Sequence, residues 1–173
     1  TFSVRVSFFN TSAVIDNQQF SFTVNSATAN SSGSTFAAAN AGGAITSTTG
    51  DINRIEVSTT DIIFDQNVSN VAENAVMSPS PTVRAIDNNV NYDLDNTSSV
   101  DVTIISGSTT FGSATTTVSM IAGTATFSNL VFATPANTNA LTVTQGAMTD
   151  ISNSFDVTAA APEINVKQGA TNL

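Results

Sequence analysis

Along most of this chain apolar side chains recur at every second position, the period of a half-buried strand and not the three-to-four spacing of a helix. Phe2, Val4 and Val6 alternate with Ser3, Arg5 and Ser7, and Phe20, Phe22 and Val24 alternate with Ser21, Thr23 and Asn25. Residues 26–50 break the pattern. They are almost wholly Ala, Ser, Thr, Gly and Asn, with Phe36 and Ile45 as the large apolar anchors, and they predict a long, weakly specified loop or edge segment with room for one helical turn at 35–40. From Asn53 onward the alternation is regular. It predicts strands over residues 55–64, 82–87, 99–106, 115–121, 124–132, 140–145 and 152–158. Turn-forming clusters separate them at 78–81, 87–96, 106–108, 122–123, 134–137 and 146–150.

Short strands at this spacing, with Val100, Val102 and Ile104 facing away from Asp101, Thr103 and Ile105, predict an all-β chain. The expected architecture is an antiparallel immunoglobulin-like β-sandwich with partial β modules at both ends. Residues 1–52 hold too few strands for a sandwich and read as the C-terminal part of a preceding β module with a low-complexity loop. Residues 53–158 read as the complete sandwich, and 159–173 as a short linker and the first strand of a following module. The chain opens on Thr1 with no basic-apolar leader, which reads as a piece of something longer.

Composition narrows the chemistry. The 173 residues contain no Cys, His or Trp, so thiol nucleophiles, histidine-ligated metals, iron–sulfur clusters and a Ser-His-Asp relay are excluded. Four basic residues against thirteen acidic ones give a net charge of -9. Arg5, Arg54, Arg84 and Lys167 form no basic stripe, which argues against nucleic acid and against anionic membrane surfaces as partners. No apolar run is long enough to insert in a membrane as a helix. Only 10% of residues are charged, against a usual share of about a quarter, and Ser, Thr and Asn fill the polar positions instead.

The stretch Gly123-Thr124-Ala125-Thr126-Phe127-Ser128-Asn129-Leu130-Val131-Phe132 resembles the bacterial immunoglobulin-like tandem repeats of large secreted and cell-surface proteins. So do Arg54-Ile55-Glu56-Val57 with Ile62-Ile63-Phe64, the run Pro81 to Asp87, and Ser152 to Val157 as a closing strand. Residues 161–166 are similar to the opening of an adjoining sandwich repeat. The resemblance implies an adhesin-like protein exported by the type IX route of gliding bacteria, extracellular or on the cell surface. It implies a structural or adhesive repeat acting as stalk, spacer or filament building block. The partners it implies are adjacent modules of the same long chain or neighbouring subunits, and surface glycans.

Three readings compete with that non-catalytic one. Asp87, Asn89, Asn91, Asp93 and Asp95 offer oxygens at alternate positions of one loop, a donor set suited to calcium, although Asn and Asp are equally at home in a solvated turn. The loop lacks the turn glycine and closing glutamate of an EF-hand. Asp61 with Asp65, or Asp93 with Asp95, are the nearest carboxylate pairs for glycoside hydrolysis, but sugar-stacking aromatics are scarce around them. The alternative function is a carbohydrate-binding β-sandwich module of a secreted polysaccharide-processing protein, with Tyr92 as its one polar aromatic platform. Asn-x-Ser/Thr triplets begin at Asn10, Asn30, Asn67 and Asn96, as chance allows in so Asn- and Thr-rich a chain.

Overall fold

The computed structural model describes residues 11–19, 21, 23–24, 45–46 and 54–162. The described residues are all strand, turn and irregular backbone, with no helix among them. The expected strand over Phe2–Val6 and the helical turn at 35–40 lie outside them, as does the strand expected after Pro162.

Eleven strands are present among the described residues: β1 Thr23–Val24, β2 Ile45–Thr46, β3 Asp61–Gln66, β4 Val71–Ala72, β5 Thr82–Ile86, β6 Ser99–Ser106, β7 Thr117–Ser119, β8 Thr124–Thr126, β9 Ala136–Gln145, β10 Met148–Ile151 and β11 Phe155–Thr158. β1 and β2 pair with each other. The rest form two sheets, one ordered β3-β5-β8 and one ordered β4-β11-β9-β6-β7, with β10 paired to β9 beside β11. Every pairing is antiparallel except β4 with β11, which run parallel.

The two sheets share one core because the period-2 pattern sends alternate residues inward. Val100 and Val102 of β6 and Leu141 and Val143 of β9 meet Ile62 of β3, Val83 and Ala85 of β5 and Ala125 of β8, all fully buried. Ile105 points outward at 53% exposure, as the alternation predicts. At one end Phe132 sits between Phe111 and Phe155, with ring centroids 5.3 and 5.0 Å apart, in the tilted contacts that aromatic quadrupoles favour. Burying side chains of this size stabilises the fold by roughly 2 kcal/mol each.

Several expected boundaries are corrected, the strand predicted over 115–121 being only Thr117–Ser119 and that over 152–158 only Phe155–Thr158. The strand predicted over 55–64 starts only at Asp61, because the N–H groups of Val57 and Thr59 donate to the carboxylates of Asp16 and Asp93 instead of to a neighbouring strand. The strand predicted over 124–132 stops at Thr126. There the Phe127 N–H turns to the Pro81 carbonyl and the Asn129 side chain binds both the N–H and the hydroxyl of Thr115. β9 begins at Ala136, inside a segment read as a turn, since Val157 pairs with it. β10 occupies most of the supposed turn at 146–150: Gln145 faces Met148, leaving Gly146 and Ala147 as a two-residue hairpin loop with glycine in front at φ +60°.

Registers define two poles. Asp61 faces Ile86 at what we term the upper pole, and Gln66 faces Thr82 at the lower one. Asn96 reaches Gln145 at the upper end of β9, while Ala136 at its lower end faces Val157 of the last strand. The described chain therefore enters the sandwich at the upper pole, at residues 54–60, and leaves it at the lower pole after Thr158.

Candidate functional site

The densest polar constellation is at the upper pole, where three stretches distant in sequence converge. The segment 11–19 lies against residues 54–57: Asn17 N–H donates to the Ile55 carbonyl, Ile55 N–H donates to Gln18, and Gln19 bridges Arg54. The loop 87–96 closes over both. It is held by Asp93 N–H to the Ala85 carbonyl and Asp87 N–H to the Asn91 carbonyl.

The five loop residues expected to hold calcium separate into two knots. In the first, Asp87 accepts the N–H groups of Asn89 and Asn91 and the Asn91 amide, all at 2.8–2.9 Å. Buried Asn91 also donates to the Thr11 carbonyl and accepts the Val14 N–H. Burial works to raise the Asp87 carboxyl, but the bonds from Asn91 and Asn89 prevail and hold it below the ordinary carboxylate value.

The second knot joins Asp93 and Asp95 to Asp16, with carboxylate oxygens of all three within 4.8 Å of one another. Asp16 is 3% exposed and Asp93 6%. Asp16 was not singled out from the sequence. Its partners, Val57 N–H and Leu94 N–H at 2.8 Å each, lie 41 and 78 residues away, and nothing local marks it. Asp93 accepts the N–H and hydroxyl of Thr59 and the Asn96 N–H. Arg54 lies 3.3 Å from Asp95 and 2.7 Å from Glu56, and it donates to Asn17.

This donor set fits a calcium ion poorly. Calcium takes six to eight oxygens, whereas both oxygens of Asp16 and of Asp93 are already accepting from protein donors. Asp95 alone of the three faces solvent. Calcium at millimolar concentration is therefore expected to leave the melting temperature unchanged within about 1 °C, since a ligand stabilises only by binding the folded state preferentially. A rise of several degrees that Asp95→Asn abolished would contradict this.

The carboxylates titrate in opposite directions. The hydrogen bond with Asp93 raises Asp95 most, then burial and the charges of Asp16 and Asp93, against a lowering effect of Arg54. Burial works to raise Asp93, but bonds from Thr59, Asp95 and Asn96 hold it below its ordinary value. A folded-state value raised above the unfolded one gives stability that is full below about pH 4 and is lost as pH rises through the raised value. The depressed values of Asp87 and Asp93 act oppositely: their stability is present above about pH 4 and is lost as pH falls through the depressed values. Asp95→Asn keeps a donor toward Asp93 and carries no charge. It is expected to melt higher than the parent at pH 7, by no more than about 1 kcal/mol for so exposed a group, with the gain vanishing toward pH 3. Parallel melting curves from pH 3 to 8 check this.

The other candidate groups are engaged as well. Asp65 pairs with Arg84 at 2.8 Å, and Asp61 accepts the Ile62 N–H. The Arg84 guanidinium lies 4.3 Å from the centre of the Tyr92 ring, so one face of that tyrosine is covered. Asn67 and Asn96, the described triplet asparagines, use their side chains across the fold, Asn67 accepting from Asn153 N–H and Asn96 donating to Thr59 and Gln145. Among the described residues no helix is long and apolar enough to cross a membrane. No family model, curated protein or solved structure matches this chain.

Proposed function

We propose that this chain is a non-catalytic structural module, an immunoglobulin-like sandwich that serves as a stalk, spacer or filament unit of a large secreted or surface-exposed bacterial protein. The observation that carries the reading is the path of the chain, which arrives at one pole and departs from the other. Modules so traversed extend end to end, and a pull on the chain runs along the long axis of each.

Two further features support it. The order β3-β5-β8 opposite β11-β9-β6-β7 is compatible with the A-B-E and G-F-C-C′ order expected of an immunoglobulin-like sandwich, on which reading β4 would be the part of the first strand that crosses to the other sheet. The acidic and amide side chains are spent on holding loops and edges. Asn67 accepts from Asn153, Asn70 from Asp156, Asp150 from Phe64 and Glu73 from Ala160, so side chains complete edges that strands leave open.

Electron microscopy of the full-length parent protein tests the proposal. Rods or fibres built of serial globules are the expected image. A compact particle with no extended array, or turnover of a polysaccharide by the purified chain, would overturn it.

A further inference from the structure

Eight large apolar side chains stand exposed among the described residues, and five of them, Ile15, Val90, Tyr92, Leu94 and Ile121, gather at the upper pole. Their loops are bonded to one another. Leu94 N–H reaches Asp16 beside Ile15, and Asn91 beside Val90 accepts the Val14 N–H. Gly123, two residues from Ile121, packs against the backbone of Asp93 and Leu94. Ile121 is 81% exposed and Ile15 61%. Single exposed apolar residues are ordinary on a protein surface, whereas a concentration at one end marks a contact.

The charge of this pole selects the partner. Glu56, Asp87 and Asp95 lie at this pole with buried Asp16 and Asp93, and the two described cations near them are already engaged, Arg54 with Glu56 and Asp95, and Arg84 with Asp65 and with one face of the Tyr92 ring. A second copy meeting this face with its own would set these carboxylates against each other, and nucleic acid or anionic lipid would be repelled. We infer that the upper pole docks a polypeptide segment carrying both cationic and apolar side chains. This does not rest on the spacer reading, since a tip domain and a mid-array domain alike can hold such a partner.

The test uses the isotope-labelled chain and three synthetic extended peptides, alternating Lys with Val, Glu with Val, and Lys with Ser. The Lys–Val peptide alone is expected to shift amide resonances of residues 90–96 and 121–124. Its affinity is expected to fall about tenfold between low and half-molar salt, as screening removes the charge term. Leu94→Ser combined with Ile121→Ser is expected to weaken binding at least fivefold, while Ile105→Ser, an exposed position away from this pole, leaves it unchanged; melting curves confirm that each variant folds. Equal responses to all three peptides, shifts confined to other surfaces, or self-association of the chain through this pole in sedimentation would each overturn the inference.

Discussion

Gly123→Ala is expected to destabilise the fold by about 3 kcal/mol or more, lowering the melting temperature by about 10 °C. Ala122 and Gly123 form the two-residue turn between Ile121 and Thr124, with φ of 49° and 68°, the paired left-handed conformations of a type I′ hairpin. Backbone preference is the smaller part of the cost. A Cβ at Gly123 would lie 2.0 Å from the Asp93 carbonyl oxygen and 3.0 Å from its carbon, so backbone has to move. That displacement would strain the bonds of Gly123 to Ala85 and Asn96 and the bond of Asp93 to Ala85 together. Gly146→Ala provides the comparison: φ is +60°, but nothing lies within 4 Å of the added carbon. It should cost only about 1 kcal/mol, the penalty of the left-handed conformation alone. Thermal or urea melts of the two variants side by side check the difference, and equal losses would show that the contact with Asp93 carries no weight.

Asp16→Ala is the second large effect, expected to cost about 3 kcal/mol. The substitution leaves the Val57 and Leu94 N–H groups, which now donate to a buried carboxylate, without an acceptor. Hydrogen bonds to a charged group contribute more than neutral ones, and an orphaned buried donor loses its solvation besides. Relief of repulsion on Asp95 offsets part of this, but Asp95 faces solvent and the relief is small. Asp16→Asn should fall between, because its amide offers one oxygen to two converging donors. Hydrogen exchange supplies the residue-level check, with protection at Val57 and Leu94 falling further than at Val102 or Val143 in the core. Unchanged protection at both would show that Asp16 does not hold the 11–19 segment to the sandwich.

The role of Asp16 shows where sequence reading stopped. Strands whose own alternation drives burial were legible: β6 lies at the predicted 99–106 and β5 ends one residue short of the predicted 87. β4 was not, because Val71 and Ala72 have no pattern of their own and are strand only through the parallel bond with β11. β10 was missed because its residues are half-buried or exposed throughout, which leaves no apolar period to read. The polar loop was visible as a cluster of Asn and Asp, but its division into two knots depends on Asp16, Thr59 and Arg54, brought in by contacts 34 to 78 residues long. Side chain to backbone bonds of that range have no local signature. They explain why the residues rich in Asn, Asp and Thr contribute so much of the tertiary structure here, where composition alone suggested a solvated surface.

The spacer account depends on the chain crossing the sandwich from pole to pole, and a distance measures that. Because the chain contains no cysteine, Ser58→Cys with Ala159→Cys places two labels at exposed positions just before the first strand of the sandwich and just after its last. Ten residues of β9 span the same two poles. At the strand rise this gives a label separation of about 30 Å or more in a pulsed electron-spin distance measurement. A separation of about 15 Å or less would place both ends at one pole and contradict the account.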